Sequence, residues 1–154
     1  MFTKITLENF RSFDHIELDL TEKGNTAKHL AILYGENGAG KSNLMSAFVL
    51  LPELTRTMDA RAAYERILAQ GAIFQDENME KEMREHIRQR LRDMSAIIKD
   101  YQMADCENPI IAEYEFNIDG NNGCYRVEFG QDEILHERLE YVLNRRRGLY
   151  FDCL

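Results

Sequence analysis

Along the start of the chain, apolar positions alternate with polar ones: Ile5 and Leu7 stand two apart in "TKITLEN", and Ile16 and Leu18 do the same in "HIELDL". A period of two predicts two short strands, each with one face on a core, and their closeness in sequence predicts an antiparallel pair. The polar stretch "TEKGNTAKH" then leads into "LAILYG", apolar on both faces, which is the pattern of a strand in the middle of a sheet. A glycine-rich turn follows at once. Beyond it the period becomes helical, with Leu44, Ala47, Phe48 and Leu51 on one stripe as far as Pro52. That proline either kinks the segment or begins the next helix, read over residues 53–70 and closed by Gly71.

A long, highly charged helix is predicted over residues 76–103, because Met79, Met83, Ile87, Leu91, Met94, Ile98 and Tyr101 recur every three or four positions. At Pro109 the period returns to two. Ala112, Tyr114, Phe116 and Ile118 alternate with polar neighbours, as do Tyr125, Val127 and Phe129 after "DGNNG", which predicts a hairpin. A third strand, "EILHERLEYVL", and a fourth, "GLYFDCL", continue the meander around the basic turn "NRRRG".

With 154 residues, the chain is long enough for one domain with a real core, and its start lacks the basic and apolar regions of a signal peptide. A cytoplasmic location is expected, with no membrane partner. The net charge of -8 opposes uniform binding to nucleic acid. Cys106, Cys124 and Cys153 are widely spaced and suggest neither a disulfide framework nor a zinc site.

The glycine turn carries the chemistry. Residues 35–42, "GENGAGKS", satisfy G-x-x-x-x-G-K-[ST], and chance matches expected in a chain of this length number well under ~0.01. Glycines at positions 35, 38 and 40 let backbone N–H groups approach phosphate oxygens. The start of a helix favours an anion, Lys41 supplies a cation for the outer phosphates, and the Ser42 hydroxyl suits Mg²⁺. These residues point to Mg-ATP or a related nucleotide. A GTPase or a small-molecule kinase fits less well, since an antiparallel pair precedes the loop and no N-K-x-D motif is present.

Together, "ITLENFRSFDHIELDL", "LYGENGAGKSNLMSAF" and the later meander "EYEFNIDG…CYRVEFGQDEILHERLEYV" resemble the N-terminal lobes of ABC-type ATPases of the RecF, SMC and OLD-like group. The closest likeness is to bacterial AAA family ATP-binding proteins related to OLD nucleases and phage-defence ATPases. The resemblance implies an α/β P-loop NTPase lobe with a mixed sheet, an antiparallel meander and a helical insertion. Residues 1–52 would hold the strand pair, loop and first helix, 53–104 the insertion and 109–154 the meander. It implies a nucleotide site lined by Gly35, Glu36, Asn37, Gly38, Ala39, Gly40, Lys41, Ser42 and Asn43, with Arg11 and Ser12 nearby. Ser42 would bind Mg²⁺, and either Gln131 or Glu137, the latter in the triplet Glu137-Arg138-Leu139, would sense the metal and the γ-phosphate.

Hydrolysis needs more than this. A strand-end Asp followed by Glu usually holds the metal from a second side and positions water. In "GLYFDCL", Cys153 stands where that Glu would follow Asp152, and no LSGG-like signature is present. The expectation is therefore the first lobe of a longer ATPase that binds ATP and hydrolyses it only when a second lobe or a dimer partner completes the site. Within the family's pattern, nucleotide binding would be coupled to a nuclease or another DNA- or RNA-acting effector. The rival is a non-catalytic interaction module that retains the loop. Lys81, Arg84, Arg88 and Arg92 share one predicted helix face, but interleaved acids make it a solvated surface. Arg145, Arg146 and Arg147 read as loop surface, and the histidines as structural.

Overall fold

The computed structural model describes residues 1–22, 26–71, 94–130, 133–143 and 146–153. Strand β1 (Phe2–Phe10) pairs antiparallel with β2 (Phe13–Asp19), setting Ile5 opposite Leu18 and Leu7 opposite Ile16 as the alternation requires. Helix α1 (Lys41–Gly71) and helix α2 (Met94–Tyr101) come next. The meander follows as β3 (Ile110–Ile118), β4 (Asn121–Gly130), β5 (Glu133–Leu143) and β6 (Arg146–Cys153). All six strands join one sheet in the order β2-β1-β3-β4-β5-β6, with every neighbouring pair antiparallel.

The β3–β4 hairpin shows how local chemistry sets register. Asp119 and Gly120, at φ 52° and 81°, form the two-residue connection, and Ile118 then faces Asn121. Positive φ at both positions is the geometry whose twist suits a hairpin, which is why an Asp-Gly pair works there. Gly123 has a different reason to be glycine. A Cβ there would lie 2.3 Å from the Phe116 ring, so the aromatic side chain occupies the space that a larger residue would need.

One face of the sheet is the core. Ile5, Leu7, Ile110, Ala112, Tyr114, Val127 and Phe129 are buried on it, and α1 covers them with Leu44, Ala47, Leu50 and Leu54. The Tyr114 hydroxyl donates to the Ala47 carbonyl at 2.7 Å, and the Phe2 ring meets Phe48 edge-on at 5.8 Å. The opposite face is solvated, as one face of an antiparallel sheet can be. It carries the pairs Lys4–Glu17, Arg126–Glu113, Arg138–Glu140 and His136–Asp152. No described helix is long and apolar enough to cross a membrane.

Several sequence expectations need correction. Among the described residues the sheet is antiparallel throughout and not mixed. Residues 30–35 form no strand, and Leu30, Ile32 and Tyr34 are 76%, 75% and 92% exposed. The apolar run reports what the segment needs on both sides, but every strand of the described sheet runs antiparallel and none of them pairs with it. Of the two readings of Pro52, the start of a new helix does not hold, since α1 runs through it. The helix predicted over 76–103, with its basic face of Lys81, Arg84, Arg88 and Arg92, lies outside the described residues except for α2. There Ile97 and Tyr101 are the buried positions. Arg146 and Arg147 open β6, paired opposite Leu143 and Val142, so the basic turn is shorter than the sequence suggested.

Candidate functional site

The glycine turn leads straight into α1, whose first residue is Lys41. Gly38 and Gly40 sit at φ 87° and 81°, a region that side chains with a Cβ rarely enter. Gly40 has a second reason to be glycine, because a Cβ would stand 2.7 Å from the Phe13 ring and 3.3 Å from Ser12 Oγ. The end of the loop is thus pressed onto the turn between β1 and β2.

Lys41 folds back over the loop, and its Nζ donates to the carbonyls of Gly35 at 2.8 Å and Glu36 at 2.6 Å. Within the loop Ala39 N–H donates to Glu36 O at 3.3 Å, and Leu44 N–H donates to Gly40 O at 2.9 Å as the helix begins. The first turn of α1 contains no acidic residue. Orphan N–H groups, the positive end of the helix dipole and an exposed ammonium therefore converge at a helix start whose own first turn carries no carboxylate. Such a donor set suits an anion, and a chain of phosphates in particular.

Ser12 stands beside the loop, and Arg11 precedes it in the turn between β1 and β2. Asn43 Nδ2 donates to Ser12 Oγ at 2.8 Å, tying the helix to the β1–β2 turn. Arg11 takes φ 53°, and its guanidinium carbon stands 4.9 Å from the centre of the Tyr101 ring. Its Nε is buried and has no hydrogen-bond partner among the described residues.

Neither Glu137 nor Asp152 is brought to this place. Glu137 lies on β5, paired opposite Val127, and accepts a hydrogen bond from the Tyr125 hydroxyl at 2.7 Å. Strand β5 is the third from β1 in the sheet, which at ordinary spacing is roughly 14 Å across. Burial, and next the bond to Glu137, push the Tyr125 phenol well above its usual range. Gln131 lies outside the described residues. Asp152 bonds to His136 on the solvated face of the sheet, opposite the helix-covered core, so it is not a metal ligand for the loop. Sequence reasoning missed Tyr101 as a neighbour of this region, because nothing in helical periodicity links it to a residue ninety positions earlier.

Comparison with known proteins bears on the same segment. Residues 4–52 match an AAA domain family. Over 49 residues the chain is 41% identical to the DNA replication and repair protein RecF of Bacillus mycoides (strain KBAB4). The matched stretch is 32% of this chain and 12% of that relative's length. The AAA domain match takes in most of β1, all of β2, the glycine turn and the beginning of α1.

Proposed function

We propose, from the premise that residues 4–52 carry the N-terminal lobe of a RecF/SMC-like ABC-type ATPase, that this chain binds Mg-ATP at the glycine turn. The observation that carries the reading is the convergence of Gly38 and Gly40 at positive φ, the α1 N-terminus, Lys41 and Ser42 at one place free of acidic residues in the first helical turn. The donor set fits a triphosphate. Backbone N–H groups of the loop bind phosphate oxygens, and Lys41 exchanges its two carbonyl partners for outer phosphates. Ser42 offers its hydroxyl to Mg²⁺, while Asn43 stays anchored on Ser12. There Mg²⁺ would supply neutralising charge to the phosphates, held on the protein side by Ser42.

Hydrolysis in this reading waits for a second lobe or a partner chain, since neither Glu137 nor Asp152 stands at the loop. The exposed run at residues 30–34 supports the same view. Its apolar side chains and unpaired backbone suit a strand that pairs only when such a partner is in place. Coupling of ATP to an effector that acts on DNA or RNA belongs to the same proposal and rests on the kinship with RecF-like ATPases.

The test is nucleotide binding and turnover measured together across protein concentration. A fluorescent ATP analogue displaced by ATP, with turnover rising more steeply than linearly, supports a composite ATPase. Binding with no turnover at any concentration favours the interaction module, and failure to displace the analogue removes the nucleotide reading.

A further inference from the structure

The turn between β1 and β2 is held in a costly shape. Asn9 and Arg11 sit at φ 54° and 53° on either side of the fully buried Phe10. Asn tolerates that region, whereas Arg does so only when its surroundings impose it. The surroundings are the end of α2 and the residues after it. Arg11 N–H donates to Tyr101 O at 2.8 Å, Met103 N–H donates to Asn9 O at 3.0 Å, and Asn9 Nδ2 donates to Pro109 O at 2.8 Å. Tyr101 closes the arrangement from both sides, with its ring stacked on Phe10 at 5.4 Å and set against the Arg11 guanidinium at 4.9 Å.

The other end of the same turn touches the glycine loop. Ser12 accepts from Asn43 on α1, and Phe13 fills the space against which Gly40 rests. A continuous chain of contacts thus runs from Tyr101 through Arg11 and Ser12 to the start of α1. It joins two segments that are far apart in sequence and have few other contacts, because α1 and α2 otherwise meet only lightly.

We propose that Tyr101 is a positioning residue for the glycine loop: it acts through Arg11 and Ser12, so that the seating of α2 sets the geometry at the α1 N-terminus. A displacement of α2 then loosens the loop, and anything that fixes the loop steadies α2, because a coupling between two sites is reciprocal. The consequence for nucleotide affinity rests on the Mg-ATP reading. The mechanical link does not.

Amide hydrogen exchange on the full chain without nucleotide tests the link directly. Tyr101→Leu keeps an apolar side chain and removes the ring, and the expected result is about fivefold faster exchange at the Leu44 N–H, the strength of a part-buried cation–ring contact. Tyr101→Phe restores the wild-type rate. Ser12→Ala cuts the chain of contacts between Arg11 and α1, and because the coupling is reciprocal it speeds exchange at both Leu44 and Met103 N–H. Arg11→Gly suits φ 53° and deletes the guanidinium, so it keeps the test open should Tyr101→Leu unfold the protein; it too speeds exchange at Leu44. An unchanged Leu44 rate in Arg11→Gly overturns the proposal, as does a Tyr101→Phe protein that behaves like Tyr101→Leu. In a parallel arm, Mg-ATP slows exchange at Met103 in the wild type, and Tyr101→Leu weakens ATP about fivefold. Absence of ATP binding would sink the nucleotide reading while the apo rates still decide the link, and ATP binding without protection at Met103 would sink the link alone.

Discussion

Gly40→Ala separates two costs that the structure assigns to one position. The added Cβ must live at φ 81°, and it meets Phe13 ring atoms at 2.7 and 2.9 Å. The backbone conformation costs about 1–2 kcal/mol in any residue with a Cβ. Displacing the ring adds about 1–3 kcal/mol, in the range of overpacked interiors. Gly38→Ala supplies the control, since Gly38 sits at φ 87° but has nothing within 4 Å of the Cβ position. It should show the backbone cost alone, so the two variants should differ by about 1–3 kcal/mol. Phe13→Leu gives the ring's space back, and in the Gly40→Ala background it should recover most of that difference. Urea unfolding followed by far-ultraviolet circular dichroism suits a chain with no tryptophan. If Gly40→Ala costs no more than Gly38→Ala, or if Phe13→Leu is merely additive with Gly40→Ala, the packing of the loop on the β1–β2 turn is not as described.

At Gly123 a Cβ would collide with Phe116 at 2.3 Å and Tyr141 at 2.9 Å, so Gly123→Ala should lower the unfolding free energy by about 1–3 kcal/mol, and trimming Phe116 to Leu should relieve it. Tyr114→Phe removes the buried hydroxyl that reaches Ala47 and should cost about 1 kcal/mol by denaturant titration, with no change in the slope. Burial first, and then the bond to Glu137, raise the Tyr125 phenol above its unfolded value of 10.0. The protonated form is therefore the one that folding favours: its contribution is whole below pH 10.0 and is lost as pH rises through the folded value. Phenolate absorbance on alkaline titration should show Tyr125 ionising together with unfolding, and ionisation of Tyr125 in a folded protein would refute the placement.

Much of the fold was legible because its signals are local. Ile5 with Leu7 and Ile16 with Leu18 declared the first two strands, and Asp119 with Gly120 declared the β3–β4 hairpin, since alternation and turn chemistry act within a few residues. Residues 30–34 show the limit of that reading. An apolar run on both faces says that cover is wanted, while the availability of a pairing strand is a property of the rest of the assembly. Pro52 left two readings open in sequence, and packing decided against a new helix: losing one N–H bond and crowding one carbonyl does not break a helix that is packed on a sheet through Leu44, Ala47, Leu50 and Leu54. The glycine turn itself was legible because the motif packs its chemistry into eight consecutive residues. Its supports were not, since the Ser12–Asn43 bond spans 31 positions and the Arg11–Tyr101 contact spans far more. Glu137, one of two sensor candidates beside Gln131, meets Tyr125 in the fold, because register across β4 and β5 decides what a strand residue faces.

The most direct measurement is a calorimetric titration of the wild-type chain and of Lys41→Ala with Mg-ATP. The Lys41 ammonium is exposed and, among the described residues, bonds to two loop carbonyls, so its removal should leave the melting temperature nearly unchanged while deleting the cation meant for the outer phosphates. The account predicts saturable binding heat in the wild type and none in a folded Lys41→Ala protein. Equal affinity in the two proteins, or no binding in the wild type, would contradict it.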